Sequence, residues 1–281
     1  MSSIRHRRPD VGALAAHAVL ILYSILVLYP VVLVVLNSFK QRRAIFNTPL
    51  ALPNAQTFSL SGYETVLLRG DFPKYFLNSF ILTAAALAII LLLGAMAAHA
   101  LVEFRFRGRG IMALYLALGM MLPVRLGTIS LVGLISGLSL TNSIAGLVIV
   151  YAAQGIPIST LILTEFFRQL PTDLKDAARI DGASEYRIFF RLILPLARPA
   201  MGTVAVFSLI PIWNDLWFPL ILAPSEATRT VTLGAQQFLG EFSSDWNALL
   251  AALSTATLPI FGFYLLFSRQ MIRGVTAGAV K

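Results

Sequence analysis

Long apolar runs recur along the whole chain and alternate with shorter polar stretches. A helix rises about 1.5 Å per residue, so crossing the hydrocarbon layer of a membrane takes roughly 20 apolar residues. Six runs approach that length, and they lie near residues 11–36, 78–101, 111–131, 143–163, 200–222 and 249–267. The pattern therefore predicts an all-α membrane protein with six transmembrane helices.

The stretches between these runs are too short to form a separate soluble core, which predicts a single transmembrane domain over 1–281. The first run is longer than the apolar core of a signal peptide and no small-x-small cleavage pattern follows it, so we expect it to remain as the first helix. The third run is the least regular, because Pro123 and Arg125 interrupt it and its apolar character continues through Leu138.

Composition agrees with a lipid environment. Hydrophobic residues make up 57% of the chain and charged residues 12%, about half the charged share of a soluble domain. The chain has no cysteine, which excludes disulfides, thiolate metal sites and thiol catalysis. The net charge of +9 could indicate a nucleic-acid surface, but the basic residues cluster beside apolar runs without interleaved aromatic residues. We expect membrane lipid, and no nucleic acid, as a partner.

The distribution of positive charge predicts the orientation. Placing both termini inside puts fifteen Lys and Arg residues on the inner side and six on the outer side. Cytoplasmic loops of membrane proteins carry an excess of Lys and Arg. Both termini are therefore predicted to be cytoplasmic, and so is the loop between the fourth and fifth runs.

This loop has the pattern of two short amphipathic helices. Pro171 and Thr172 are typical of a helix start, Gly182 can adopt the left-handed conformation that ends a helix, and Ser184 can cap the next one. The second helix has an apolar face formed by Ile188, Phe189, Leu192, Ile193 and Leu196. Two interpretations remain open: the helices lie on the membrane surface, or the small residues at 177 and 178 allow another protein to dock closely.

Two segments of this loop carry a family resemblance. They read Asp176-Ala-Ala-Arg-Ile-Asp-Gly-Ala-Ser and Phe190-Arg-Leu-Ile-Leu-Pro-Leu-Ala-Arg-Pro199. Together they resemble the EAA loop of permease subunits in binding-protein-dependent ABC importers, with Asp176 where the family more often has glutamate. The resemblance implies a type I ABC importer (MetI-like) permease fold in a bacterial inner membrane, with a cytoplasmic EAA coupling loop over 164–199.

Three further segments are similar to the carbohydrate-importing branch of this family, that of the MalG-like permeases of maltose systems. They lie at 105–109, 213–219 and 273–281. One departure is Pro123-Val-Arg-Leu-Gly127, which replaces a more apolar stretch. The resemblance implies the channel-forming subunit of an importer for a sugar or oligosaccharide.

The same resemblance implies the partners and the coupling residues. The chain has no Gly-x-x-x-x-Gly-Lys-Ser/Thr sequence and so no P-loop of its own; it is not expected to be an enzyme, and ATP hydrolysis is expected in a partner subunit. No catalytic residue, cofactor or metal is expected in this chain. The family would supply a cytoplasmic ATPase dimer, a second permease subunit that is a different chain, and an extracytoplasmic solute-binding protein. The residues expected to contact the ATPase are Asp176, Ala177, Ala178, Asp181 and Gly182.

Ionisable residues within apolar runs are costly and are candidates for function. Arg125 and Asp215 each lie fifteen residues beyond the inner end of a run, so they are expected at similar depth and could pair. With Asn214 they form either a helix-packing contact or part of a translocation path. Trp213 and Trp217 could stack on a sugar ring or anchor the helix at the interface.

Two other functions are alternatives to the importer. His17 and His99 could ligate a haem in an electron-transfer subunit, although histidines near helix ends are usually solvated or packed. An ion-gradient-driven secondary carrier would need no ATPase. Such carriers often contain internal repeats with matching broken helices, and the two halves of this chain show no convincing duplication.

Overall fold

The structure is a computed structural model that describes residues 11–69, 71–240 and 244–277. Helices dominate these ranges, which contain no β-strand and one isolated bridge, between Lys40 and Phe58. The prediction of an all-α protein is confirmed. Four residues of the charge count, Arg5, Arg7, Arg8 and Lys281, lie outside the described residues.

The helices follow one another with short connections. In chain order they are α1 (Val11–Ser38), α2 (Arg42–Asn47), α3 (Ser61–Glu64), α4 (Phe72–Glu103), α5 (Arg109–Met121), α6 (Thr128–Gly137), α7 (Ile144–Arg168), α8 (Thr172–Ile180), α9 (Glu185–Ile188), α10 (Leu194–Leu196), α11 (Arg198–Asn214), α12 (Trp217–Leu222), α13 (Val231–Ala235) and α14 (Trp246–Ala277). Short π-helical segments cover Thr65–Arg69 and Phe189–Ile193, and 3-10 turns cover Val124–Gly127 and Gln236–Phe238.

Within the described residues, four helices are long and apolar enough to cross a membrane alone. They are Gly12–Ser38, Phe72–Glu103, Ile144–Arg168 and Trp246–Leu265. Two bent pairs of helices pass the same test only when each pair is taken together: α5 with the segment Val124–Gly137, bent by 89°, and Glu185–Leu196 with α11, bent by 73°. Counting each bent pair as one crossing gives the six that the apolar pattern predicts.

The third and fifth apolar runs do not form single straight helices, although their lengths predicted this. The third run breaks at Pro123, because proline lacks an amide donor and disfavours helical geometry at Leu122, whose ψ is 126°. In the fifth run, helix α11 ends at Asn214, and Asp215 has extended backbone with ψ 136° before α12 begins. Both breaks fall beside residues that the sequence marked as candidates.

The chain divides into two compact units. The first contains the described residues up to Asp71 together with Ala235–Thr255. α1 belongs to this unit, and none of its most apolar stretch is buried. The prediction of one domain over 1–281 stays a prediction.

A buried lysine organises part of the first unit. Lys40 is fully buried, and its Nζ donates to Asn37 Oδ1 at 3.0 Å and to the carbonyl oxygens of Thr48 and Pro49 at 2.9 and 3.2 Å. Burial lowers the pKa of Lys40. Its own carbonyl accepts a hydrogen bond from Asn247 Nδ2, so the lysine joins two distant parts of the sequence.

The second unit contains Phe72–Gly234 and the described residues from Ala256 onward, and its core lies between α4, α7 and α11. Glycines allow α4 and α7 to approach closely. A Cβ on Gly94 would lie 2.1 Å from Ser159 Oγ, and one on Gly155 would lie 2.3 Å from Ile90 Cδ1. Ser159 Oγ also donates to the Ile90 carbonyl oxygen at 3.2 Å. This contact holds the two longest core helices in register.

Candidate functional site

The loop between α7 and α11 begins with α8, and its local geometry follows the sequence signals. α8 starts directly after Pro171, and Gly182 has φ +76°, the left-handed conformation expected at a helix end. Ser184 Oγ accepts a hydrogen bond from the Arg187 amide at 3.4 Å and caps α9. The predicted helix boundaries at Pro171, Gly182 and Ser184 are confirmed.

The two faces of α8 differ in character. Lys175 is buried although it is charged, and Ala178 is half-buried against the core of the second unit. The opposite face is exposed: Asp176 and Ala177 lie on it, and Ile180 is 86% exposed.

The five predicted coupling residues are thus unequally placed. Asp176, Ala177, Asp181 and Gly182 are exposed, whereas Ala178 faces its own core. The Asp176 carboxylate already accepts a hydrogen bond from Arg179 Nη1 at 2.8 Å.

A cluster of charges joins α8 to the end of α4. Glu103, the last residue of α4, accepts hydrogen bonds from Lys175 Nζ and Arg179 Nη2. Arg179 Nε also donates to Glu185 Oε1 of α9 at 2.8 Å. Hydrogen bonds from Arg179 to Glu185 and Glu103 raise the pKa of its guanidinium, so Arg179 is permanently charged.

A cavity of about 680 Å³ opens between α4, α7 and α11 and next to the break after α5. Its volume falls within the range of small-molecule sites. Its wall is mainly apolar, with a few polar groups, and its lining includes Ile90, Arg125, Tyr151, Gln154, Phe207, Ser208, Asn214, Asp215 and Phe218. The three residues predicted from the sequence, Arg125, Asn214 and Asp215, therefore meet at one cavity.

Asp215 is fixed mainly by groups other than Arg125. The Tyr151 hydroxyl donates to Asp215 Oδ2 at 2.8 Å, and the Phe218 amide donates to the same oxygen at 3.2 Å. Arg125 Nη2 lies 3.7 Å from Asp215 Oδ1, and the two side chains are 70% and 11% exposed. An ion pair in which one partner is so exposed to solvent contributes little to the stability of helix packing.

The two tryptophans beside this cavity point to different places. Trp213 is buried, and its Nε1 donates to the Ala256 carbonyl oxygen at 3.0 Å. Trp217 is partly exposed, donates to Thr128 Oγ1 at 3.1 Å, and lies 5.8 Å from the Arg125 guanidinium. Neither ring lines the cavity, where Tyr151, Phe207 and Phe218 supply the aromatic surface.

The candidate haem ligands have other contacts. His99 is buried beside the rings of Phe104, Phe167 and Phe189, with centroids 5.2 to 6.3 Å away. His17 Nδ1 lies 2.6 Å from the Ala13 carbonyl oxygen within α1. Both environments fit histidines that are packed or hydrogen-bonded within the protein.

Comparison with protein families gives a match over residues 90–273 to the family described as "Binding-protein-dependent transport system inner membrane component". The match covers more than half of the chain and includes both the cavity and α8. The chain belongs to this family. It is a multi-pass inner-membrane permease subunit of a binding-protein-dependent ABC importer.

Several named relatives of this permease match over nearly its full length. The diacetylchitobiose uptake system permease protein NgcG of Streptomyces coelicolor is 34% identical, over 96% of this chain and 89% of that protein. The trehalose/maltose transport system permease protein MalG of Thermococcus litoralis is 32% identical, over 93% of this chain and 94% of that protein. The probable starch degradation products permease AmyC of Thermoanaerobacterium thermosulfurigenes shows the same identity and coverage.

Solved structures show the same fold. A chain of a bacterial ABC transporter involved in import of the acidic polysaccharide alginate superposes with a TM-score of 0.80 at 20% identity, covering 95% of this chain and 99% of that one. A chain of the MetNI methionine ABC transporter gives a TM-score of 0.55 at 13% identity, with 74% and 96% coverage. The predicted MetI-like permease fold is confirmed.

Several residues that contact the predicted site residues were not predicted from the sequence. Glu103 and Tyr151 are distant in sequence from the groups they contact, and no local pattern marks them. A usable signal was present at Lys175 and Arg179, whose spacing of four places them on one face of α8. The exposed Ile180 could have been recognised as an apolar residue outside the helix's buried face.

Proposed function

We propose that this permease imports a sugar or oligosaccharide, with both termini and α8 in the cytoplasm, and that a separate ATPase dimer drives it through α8. The solute class is supported by the names of its relatives, which concern chitobiose, maltose and starch products. The orientation is supported by the excess of positive charge on the proposed inner side.

The observation that carries the coupling proposal is the exposed face of α8. Asp176, Ala177 and Ile180 form a surface with one carboxylate, which Arg179 also contacts, and one large exposed apolar side chain. Its complement is a partner cleft with basic groups and an apolar pocket. Asp181 and Gly182 lie at the end of this face, and the ATPase would bind α8 there.

The cavity is the proposed part of the translocation path in this subunit. A sugar needs hydrogen-bond partners for its hydroxyls and apolar surface for its ring faces, and the cavity wall offers both. Asp215 is held by Tyr151 and by backbone amides, so Arg125 is available to the solute. A second permease of different sequence would complete the path, and an extracytoplasmic binding protein would deliver the solute.

Reconstitution tests this proposal. The permease is co-purified from native membranes and placed in lipid nanodiscs with its binding protein, and sugars are screened for stimulation of ATP hydrolysis. We expect one sugar class to stimulate it. Failure of any sugar to act, with another solute class active, would overturn the solute assignment.

Crosslinking tests the docking face. A short crosslinker on Ala177→Cys, which is exposed on α8, should capture an ATPase subunit in intact membranes. Ala227→Cys, an exposed position on the proposed outer side, should capture none. Capture from residue 227 and not from residue 177 would reverse the orientation.

A further inference from the structure

The end of α4 is attached to α8 by a nearly buried carboxylate. The two oxygens of Glu103 are used separately: Lys175 Nζ donates to Oε2 and Arg179 Nη2 to Oε1. The side chains of Glu103 and Lys175 are only 11% and 7% exposed. Because both groups are shielded from water, removing either partner would leave an uncompensated buried charge, which is strongly destabilising.

Arg179 extends the attachment to three elements. One guanidinium donates to Glu103 on α4, to Asp176 on α8 itself and to Glu185 on α9. Its planar group presents its donors at fixed angles, so three partners determine its orientation. The three elements are thereby held at fixed relative positions.

The chain on either side of α8 is not helical. Residues 169–171 and 181–184 are short irregular connections, and Gly182 lies in the second of them. A force on α8 would be absorbed there if these connections were the only attachment. The ion pairs from Lys175 and Arg179 to Glu103 of α4 remove that freedom. α4 in turn packs along α7 and lines the cavity through Ile90.

We infer that Glu103 is a positioning residue for transport: it makes α8 and α4 one rigid body, so that movement of α8 reaches the cavity through α4. The inference rests on the proposed coupling of α8 to an ATPase. Lys175 and Arg179 are the α8 side of this attachment, and Arg179 also pairs with Asp176 of the proposed docking face.

The test uses the complete importer in nanodiscs, with uptake measured per ATP hydrolysed. Glu103→Gln keeps the size of the side chain and removes its charge. It should retain ATPase association and basal hydrolysis, and transport per ATP should fall at least about tenfold, the effect of losing charged hydrogen bonds. The matched control is Glu165→Gln, because Glu165 is exposed and pairs with Arg168 of its own helix. It should transport as the wild type does.

Charge exchange separates positioning from general stability. Glu103→Lys alone should abolish coupling, and adding Lys175→Glu should restore part of it by re-forming the pair with reversed polarity. Distances between spin labels on Ala177→Cys of α8 and Leu93→Cys of α4 should be narrowly distributed, and Glu103→Gln should broaden them. If Glu103→Gln does not assemble, Lys175→Gln carries the same measurements.

The outcomes are distinguishable from those of the proposed function. Wild-type transport per ATP and unchanged label distances in Glu103→Gln would overturn the positioning role even where Ala177→Cys captures the ATPase. Absence of that capture would instead overturn the coupling proposal, while broadened label distances would still support the attachment of α8 to α4.

Discussion

The close contact between α4 and α7 makes Gly94→Ala an informative perturbation. The new Cβ would lie 2.1 Å from Ser159 Oγ and 2.6 Å from Ser159 Cβ. Non-bonded carbon atoms rest at about 3.5–4.0 Å, so the helices must separate locally by roughly an ångström or Ser159 must abandon its rotamer. Either response breaks the hydrogen bond from Ser159 to the Ile90 carbonyl oxygen.

The expected cost follows from these contacts. Overpacking a dense core costs about 1–3 kcal/mol, and loss of a neutral hydrogen bond costs about 1 kcal/mol. The higher helix propensity of alanine offsets this by about 1 kcal/mol. The free energy of unfolding should therefore fall by about 1–3 kcal/mol, which lowers the thermal unfolding midpoint by roughly 2–6 °C for a chain of this size.

The assay is thermal unfolding of purified protein in one detergent, followed by tryptophan fluorescence. Gly133→Ala on α6 is the control, because nothing lies within 4 Å of its added Cβ, and it should be neutral or slightly stabilising. Adding Ser159→Gly to Gly94→Ala removes the clashing atoms and should recover part of the loss relative to Ser159→Gly alone. A Gly94→Ala protein as stable as the wild type, or the absence of coupling with residue 159, would refute the reasoning.

Three further predictions concern other sites. Gly182→Val should insert into the membrane but reduce uptake per ATP hydrolysed, because φ +76° is strained for a β-branched residue and the added bulk obstructs docking; normal uptake would contradict this. Tyr151→Phe removes the hydroxyl that holds Asp215 and should lower sugar uptake about tenfold, with ATPase association unchanged. Lys40→Met removes the donor to Asn37 Oδ1 and to the Thr48 carbonyl oxygen, whereas the Pro49 carbonyl oxygen keeps the donor from Asn37 Nδ2, and the change should cost about 1–3 kcal/mol in chemical unfolding. Because burial lowers the pKa of Lys40, the wild type should gain stability as pH rises toward the unfolded value of about 10.4, and Lys40→Met should lack this slope.

Features set by neighbouring residues could be predicted from the sequence. Pro171, Gly182 and Ser184 each act on their own backbone, and the boundaries of α8 and the start of α9 follow from them. The apolar runs likewise predict helices, because each satisfies its own backbone hydrogen bonds in lipid. The sequence also marked Pro123 as an interruption of the third run.

Features set by distant residues could not be predicted. The 89° bend at Pro123 depends on what the two helices pack against, and proline alone fixes only where the break occurs. Trp213 and Trp217 are four residues apart, yet one is buried beside α14 and the other lies beneath Arg125. Their surroundings come from helices that are remote in sequence.

The helix α8 shows why this distinction matters for function. A helix on a protein surface normally buries its apolar side and exposes its charges. α8 instead buries Lys175 and half-buries Arg179 against Glu103, and it exposes Ile180. Burying a lysine is unfavourable unless it is paired, and Glu103 supplies that pair within this chain. The exposed Ile180 is apolar surface that the proposed contact with an ATPase would cover; a membrane surface is the other candidate, and the Ala177→Cys crosslink distinguishes the two.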